Sequence, residues 1–198
     1  ILISISAVLI SNQLQSTDNI SILVNNSGPF IGTSISYQSG YDGSGIVVSI
    51  IDTGIDLNHP DLEGQIIGGY DFVDNDEIPE DTNGHGTQVA GIIASNGNLK
   101  GIAPNSKILM YKVSEDGESV PSHLIIKAIE KSIEDNADII NISLGINQTN
   151  TKIDQVVNKA VKNNIFVVTA AGNFGPELST IGSPGINPNA ITVGATFN

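Results

Sequence analysis

Strand-forming and helix-forming segments alternate along this chain, and that alternation constrains its fold more than any other feature of the sequence. β-Branched apolar runs predict strands at 45–52, 108–113, 137–144, 165–171 and 190–195. Apolar residues at helical spacing predict helices over 121–136 and 151–163. Strands that alternate with helices form parallel sheets joined by right-handed crossovers. The sequence therefore predicts an α/β fold with a doubly wound, mostly parallel central sheet and helices on both faces.

Polar residues follow two of the predicted strands at the point where each strand ends. Asp52 comes directly after an apolar run that is typical of a central strand buried on both faces. Asn173 closes the run that begins at Phe166, so an amide takes the corresponding place there. Functional sites of open parallel sheets lie beyond the carboxyl ends of the strands. We therefore expect Asp52 and Asn173 at one functional edge of the sheet.

A histidine opens a short and almost wholly apolar helix about thirty residues after Asp52. Val89, Ile92 and Ile93 recur at helical spacing behind His85, so the helix is expected to be buried. Glycines on both sides of the histidine allow a close approach of backbone or substrate to the ring. A core histidine bonded to backbone is the alternative for this stretch alone. An acid, an imidazole and an amide together suit acyl transfer.

Three stretches resemble those of the subtilisin-like serine peptidases, in which the acid precedes the histidine along the chain. The residues that carry the resemblance read IIDTGID at 50–56, NGHGTQVAG at 83–91 and AAGN at 170–173. Shorter matches are GIAP at 101–104, NISLG at 141–145, SPG at 183–185 and ITVGA at 191–195. The resemblance covers about 29–195. It implies a serine endopeptidase that hydrolyses polypeptides with an Asp-His-Ser triad.

The resemblance also implies individual roles. Asp52 and His85 would be the acid and the base of the triad, and Asn173 would donate to the oxyanion. Substrate would bind along an edge and a pocket wall formed by Ser143, Leu144, Gly145, Ala170, Ala171 and Gly172. An extended substrate would pair with that edge as an added strand, which is a common mode of peptide recognition.

One departure from the family pattern concerns the nucleophile. The family's glycine-threonine-serine motif, which carries the catalytic serine, comes after the histidine, but no such motif follows His85 here, and Ser143 and Ser183 lack its context. The one glycine-threonine-serine tripeptide, at 32–34, precedes both the acid and the histidine. Residues 29–198 are therefore expected to be the N-terminal part of a catalytic domain, incomplete at the C-terminus and inactive as given. The alternative is a non-catalytic, peptide-binding member of the same family.

Residues 1–28 are expected to be a signal or propeptide remnant, or another N-terminal extension. The apolar run at 1–10 is too short to span a bilayer, so no membrane span is predicted. Family members are commonly made with an inhibitory propeptide, which makes the protein's own propeptide an expected partner. The resemblance further implies an extracellular or cell-surface location.

The charge balance separates two classes of partner. A net charge of −13 with only 8 Lys and Arg residues argues against a nucleic-acid partner.

The acidic run 71–81 predicts a calcium site, because calcium prefers oxygen ligands. The site is not an EF-hand, since Pro79 stands where an EF-hand needs glycine. By resemblance to the calcium loop of thermitase-like members, Asp71, Asp74 and Asp76 would be the ligands. A solvated acidic loop is the alternative, and no organic cofactor is expected.

Overall fold

A computed structural model gives the structure of the protein for residues 32–118 and 120–195. The strands of this part are Val47–Asp52 (β1), Ile66–Asp71 (β2), Lys107–Lys112 (β3), Ile139–Ile142 (β4), Phe166–Ala170 (β5) and Ile191–Val193 (β6). Its α-helices are Thr33–Gln38 (α1), His85–Ala94 (α2), Ser122–Glu134 (α3) and Thr151–Lys162 (α4), with a 3-10 turn at Pro60–Leu62. None of these described helices is long and apolar enough to cross a membrane. The predictions for 1–28, including the boundary with 29–198, lie outside the described residues.

The six strands form one sheet in the order β2-β3-β1-β4-β5-β6, and every neighbouring pair is parallel. β1 lies inside the sheet, with β2 and β3 on one side and the later strands on the other. The chain therefore reverses its direction of progress next to β1, which is where open parallel sheets place their binding crevice. The predicted α/β fold with a parallel central sheet is confirmed.

Two separate apolar clusters cover the two faces of the sheet. Val48 and Ile50 of β1 pack with the buried face of α2 on one side. Ile51 of the same strand packs on the other side with residues of α3 and α4, including Ile129 and Val157. Since adjacent residues of a strand point to opposite faces, β1 contributes to both clusters. Each fully buried isoleucine contributes about 1.5–3 kcal/mol relative to exposure, so this strand anchors the fold.

β2 was not predicted, and the position of Asp71 is a correction. The acidic run 71–81 predicts a loop that includes Asp71. In the structure Asp71 is instead the last residue of β2, and only the residues after it form the loop. Gly68 and Gly69 interrupt the β-branched pattern by which the other strands were recognised. A Cβ atom on Gly69 would collide with the Met110 carbonyl oxygen, so β2 uses glycine to lie against β3.

The first turn of α2 approaches the end of β1 more closely than a side chain would allow. A Cβ atom on Gly86 would collide with the carbonyl oxygen of Gly54 and would lie 3.2 Å from the Cβ atom of Asp52. Gly54 itself has a φ of 112°, a conformation that L-residues with side chains rarely adopt. Two glycines thus set the distance between the strand end and the helix start.

Replacement of Gly86 by alanine should therefore destabilise the protein by about 1–3 kcal/mol, the usual cost of overpacking a filled interior. Gly91 is the matched control in the same helix, because a Cβ atom there meets nothing within 4 Å. Gly91→Ala should be neutral or stabilising by up to about 1 kcal/mol, since alanine is the better helix former. Thermal unfolding of both variants measures the difference, and equal melting temperatures would contradict the close approach.

Candidate active site

The structure brings Asp52 and His85 into direct contact. Asp52 ends β1 and is completely buried, whereas His85 begins α2 with its side chain 21% exposed. The Nδ1 atom of the imidazole lies 2.6 Å from Oδ1 of Asp52, and the same oxygen accepts a hydrogen bond from the Thr53 amide at 2.8 Å. Oδ2 of Asp52 has no hydrogen-bond partner among the described residues. The carboxylate thus fixes one ring nitrogen and leaves the other edge of the imidazole toward the surface.

Opposing effects act on the pKa of His85. Burial lowers the pKa because it disfavours the charged imidazolium, but the hydrogen bond and charge of Asp52 raise it, with a further contribution from the charge of Asp81. The raising effects together outweigh burial, so the pKa of His85 lies above its usual value. A base with a raised pKa accepts a proton more readily, and its imidazolium form is stabilised by the carboxylate that orients it.

The parallel register brings the ends of three strands to one edge. Ile51 lies opposite Ile142, and Ile142 lies opposite Thr169, so Asp52, Ser143 and Ala170 follow at the same level. Adjacent strands are about 4.8 Å apart, which leaves roughly 10 Å between the ends of β1 and β5. The edge therefore combines the acid with residues that the sequence analysis assigned to substrate binding.

The segment after β5 turns outward from this edge. The amide of Ala171 still donates to the carbonyl of Val193, but Gly172 has a φ of 90° and is exposed. Asn173 follows in the loop and is exposed, with Phe174 packed near Gly172. Gly172 is thus the point at which the chain leaves the sheet and presents Asn173 to solvent.

The segment after β4 is partly held by its neighbours. The hydroxyl of Ser143 accepts from the Asn141 amide group at 2.9 Å, and the Leu144 side chain is buried in the apolar cluster of α3 and α4. A Cβ atom on Gly145 would lie 3.0 Å from the Ser183 carbonyl, whose oxygen accepts from the Ile146 amide. Ser143, Leu144 and Gly145 therefore form a segment after β4 that is held by contacts with its neighbours.

The three predicted calcium ligands do not converge. Asp71 is buried: its Oδ1 accepts from two backbone amides, and its Oδ2 lies 3.4 Å from the ammonium of Lys112. Asp74 is exposed, and Asp76 accepts from the Ile78 amide at 2.8 Å. Within residues 32–118 and 120–195, no group of three or more acidic or histidine side chains is arranged to hold a metal ion. Calcium binding by these three aspartates stays a prediction.

Two polar residues of this region were missed by the sequence analysis. Asp81 accepts hydrogen bonds around the first turn of α2, and Lys112 is a buried cation between Asp71 and Glu115. Gly84 occupies the N-cap position of α2, so the capping pattern does not single out Asp81, which lies three residues earlier. Nothing in the sequence distinguishes Lys112 from a solvated lysine at a strand end.

Similarity to known proteins extends over most of the chain. The model of the family described as "Subtilase family" matches residues 43–198. The minor extracellular protease Vpr of Bacillus subtilis (strain 168) is 42% identical over an alignment of 195 residues, which covers 91% of this chain and 24% of that protein. The major intracellular serine protease of the same organism is 45% identical over an alignment of 148 residues, which covers 70% of this chain and 46% of that protein.

A solved structure is similar to the described part of this chain in its fold. Sphericase superposes with a TM-score of 0.71 at 36% sequence identity, covering 76% of this chain and 53% of its own. The chain thus spans between 24% and 53% of the length of these relatives. The family match contains the contact of Asp52 with His85 and all the strands of the described sheet. The chain therefore belongs to the subtilase family.

Proposed function

We propose that the protein is a serine endopeptidase that hydrolyses polypeptides by an Asp-His-Ser triad. One observation carries the proposal: a buried carboxylate at the end of the central strand lies 2.6 Å from a partly exposed histidine. The names of the relatives, which include proteases outside and inside the cell, support the same class of reaction. The nucleophile is proposed to come from a glycine-threonine-serine segment outside these 198 residues.

In the proposed mechanism, Asp52 holds the imidazole so that Nδ1 carries the proton and Nε2 is the base. Nε2 takes the proton of the serine hydroxyl while the serine oxygen bonds to the scissile carbonyl carbon. Collapse of the tetrahedral intermediate breaks the C–N bond, and the imidazolium gives its proton to the leaving amine. Water then hydrolyses the acyl-enzyme by the same steps. The Asn173 amide is proposed to donate to the oxyanion in both halves.

The substrate is proposed to be an extended polypeptide that lies along the segment after β4. Leu144 is buried, so Ser143, Leu144 and Gly145 form a firm edge for main-chain pairing. Ala170, Ala171 and Gly172 offer only small side chains next to it, which leaves room for a substrate side chain. Apolar or aromatic residues before the scissile bond fit such a wall best.

We propose an extracellular or cell-surface location, supported by the name of one relative, the minor extracellular protease Vpr. The protein's own propeptide remains the proposed inhibitory partner, and residues 1–28 are its candidate remnant. The net charge of −13 repels nucleic acid. A polypeptide is therefore the proposed macromolecular ligand.

The proposal is tested by comparing this chain with a form extended through the serine segment. The 198-residue chain should show no peptidase activity, because a base without its nucleophile forms no acyl-enzyme. The extended form should hydrolyse an unspecific peptide substrate and react with a serine-directed phosphonate. His85→Ala in the extended form is the control and should abolish both.

Two results would contradict this account. Labelling of the short chain by the phosphonate would mean that one of its own serines is the nucleophile. An extended form that binds peptides but neither cleaves them nor reacts would favour the non-catalytic member of the family.

A second prediction concerns the oxyanion donor. Asn173→Leu in the extended form should lower turnover about 10²–10³-fold, the loss known for removal of the oxyanion-hole asparagine in subtilisin. Substrate affinity should change little, since the hydrogen bond forms in the transition state. Steady-state kinetics measure both constants, and turnover close to that of the parent would exclude Asn173 as the donor.

A third prediction concerns calcium, which we propose as a structural ion of the acidic segment. Residues 71–81 carry six carboxylates, and the ammonium of Lys112 neutralises only Asp71 among the proposed ligands. Calcium bound only to the folded form should stabilise it by about 2.7 kcal/mol at a hundredfold excess over the dissociation constant. Melting temperatures with calcium and with a chelator test this.

Asp74→Asn should reduce the calcium-dependent shift in melting temperature, because Asp74 is an exposed proposed ligand. Asp138→Asn is the control and should keep the shift, because Asp138 bonds to the amide of Val47 at the start of β1, away from the acidic segment. Identical melting temperatures with calcium and with chelator would remove calcium from the proposal.

A further inference from the structure

We propose that Asp81 is a positioning residue of the active site, whose carboxylate fixes the first turn of α2 to the end of β1 and so holds His85 on Asp52. The catalytic consequence rests on the proposed function, but the positioning itself does not. Asp81 belongs to the acidic run that the sequence analysis connected with calcium, and it lies four residues before His85.

Both oxygens of the Asp81 carboxylate are used at the start of the helix. Oδ1 accepts from the hydroxyl of Thr53 at 3.0 Å and from the amides of Asn83 and Gly84 at 3.1 and 2.8 Å. Oδ2 accepts from the amide and the hydroxyl of Thr87 at 2.9 and 2.6 Å. Five donors from both sides of His85 therefore converge on one carboxylate. Such charge-assisted bonds are roughly twice as strong as neutral ones.

Thr53 extends the contact from the helix to the strand. Its hydroxyl donates to Asp81, which leaves an oxygen lone pair for the amide of Gly86 at 2.9 Å. The amide of the same threonine donates to Oδ1 of Asp52. One completely buried residue thus connects Asp81, the amide after His85 and the acid that holds the imidazole. A shift of Asp81 would move both partners of the Asp52–His85 contact.

Thr87 closes the arrangement on the other side. Its hydroxyl donates to Oδ2 of Asp81 and accepts from the amide of Asp56 at 2.9 Å. The loop after β1 and the first turn of α2 therefore share Asp81 as their common acceptor. Since Gly86 already lies against Gly54, the hydrogen bonds and the steric contact fix the same distance.

The charge of Asp81 acts on the imidazole in the same direction as Asp52. The positive end of the helix dipole disfavours an imidazolium at the first position of α2, and a carboxylate nearby opposes that effect. Asp52 contacts the ring from β1, and Asp81 faces it from the preceding loop. Asp56, Glu115 and Asp116 are exposed carboxylates on the surrounding segments. Burial of His85 lowers its pKa, while Asp52 first and Asp81 second raise it.

A carboxylate that only caps a helix would affect stability but not the titration or turnover of His85. Asp81→Asn and Thr53→Val separate the two roles, because the second variant removes the hydroxyl but keeps the charge of Asp81. Asp138→Asn is the matched control: Asp138 accepts from the Val47 amide at 2.8 Å, at the opposite end of β1. All three are made in the form extended through the serine segment.

Asp81→Asn should lower kcat by up to about 10²-fold, because displacement of a reacting group by about 1 Å has that effect. KM should stay within about twofold, since no substrate contact is removed. The acidic limb of the kcat/KM profile should move to lower pH, because loss of the carboxylate charge lowers the pKa of His85. Thr53→Val should lower kcat with little shift of the limb, and Asp138→Asn should change neither.

Imidazole resonances followed by NMR give a readout that does not depend on activity. The midpoint of His85 should fall in Asp81→Asn, while those of His59 and His123 serve as internal references. An unchanged midpoint together with an unchanged kcat in a folded Asp81→Asn protein overturns the proposal. Losses of equal size in Asp138→Asn also overturn it, because they assign the effect to general loosening.

Two further outcomes concern a variant that does not fold and a parent protein that is inactive. If Asp81→Asn does not fold, Thr53→Val decides, and a kcat equal to that of the parent overturns the proposal. If the parent itself neither cleaves peptides nor reacts with the phosphonate, the proposed function fails. The resonance of the His85 Nδ1 proton, which is bonded to Asp52, then tests the positioning role alone. It should move in both Asp81→Asn and Thr53→Val, and an unchanged resonance in both overturns the proposal.

Discussion

Close contact between the first turn of α2 and the end of β1 is the constraint on which the site depends. Gly86 and Gly54 meet where a side chain would collide, and the apolar face of the helix packs on β1 and β3 behind them. The helix can therefore approach the sheet in only one way. Asp52 and His85 are the residues at the two ends of this contact, so their 2.6 Å separation follows from how the backbone packs.

Buried carboxylates in this acidic protein are each compensated in a different manner. Asp52 has an imidazole, Asp71 has the ammonium of Lys112, and Asp61 has the amides of the Asn98 and Leu99 loop residues. Each solution suits the position, because an unpaired buried charge is very costly. Among these three sets of partners, only the imidazole belongs to a residue type whose charge ordinarily changes within the physiological pH range.

Local patterns predict five of the six described strands and place Asp52 and His85 at the ends of their elements. A β-branched run that ends in Asp52 and an apolar helix that begins at His85 each predict their own geometry. β2 was missed because Gly68 and Gly69 hide the strand pattern, and their reason is the contact with β3. Asp81 and Lys112 were missed because their partners are distant or depend on the path of a loop.

The architecture holds Asp52 and His85 on packed elements and places Asn173 in an exposed loop. Asp52 ends a strand bordered on both sides by other strands, and the helix behind His85 is buried. Asn173 instead lies two strands away, in an exposed loop after the left-handed turn at Gly172. A proton passes between two side chains only at hydrogen-bond distance, so the proposed acid and base need fixed positions. The sheet therefore fixes the pair proposed for proton transfer, whereas the proposed oxyanion donor lies in an exposed loop outside the sheet.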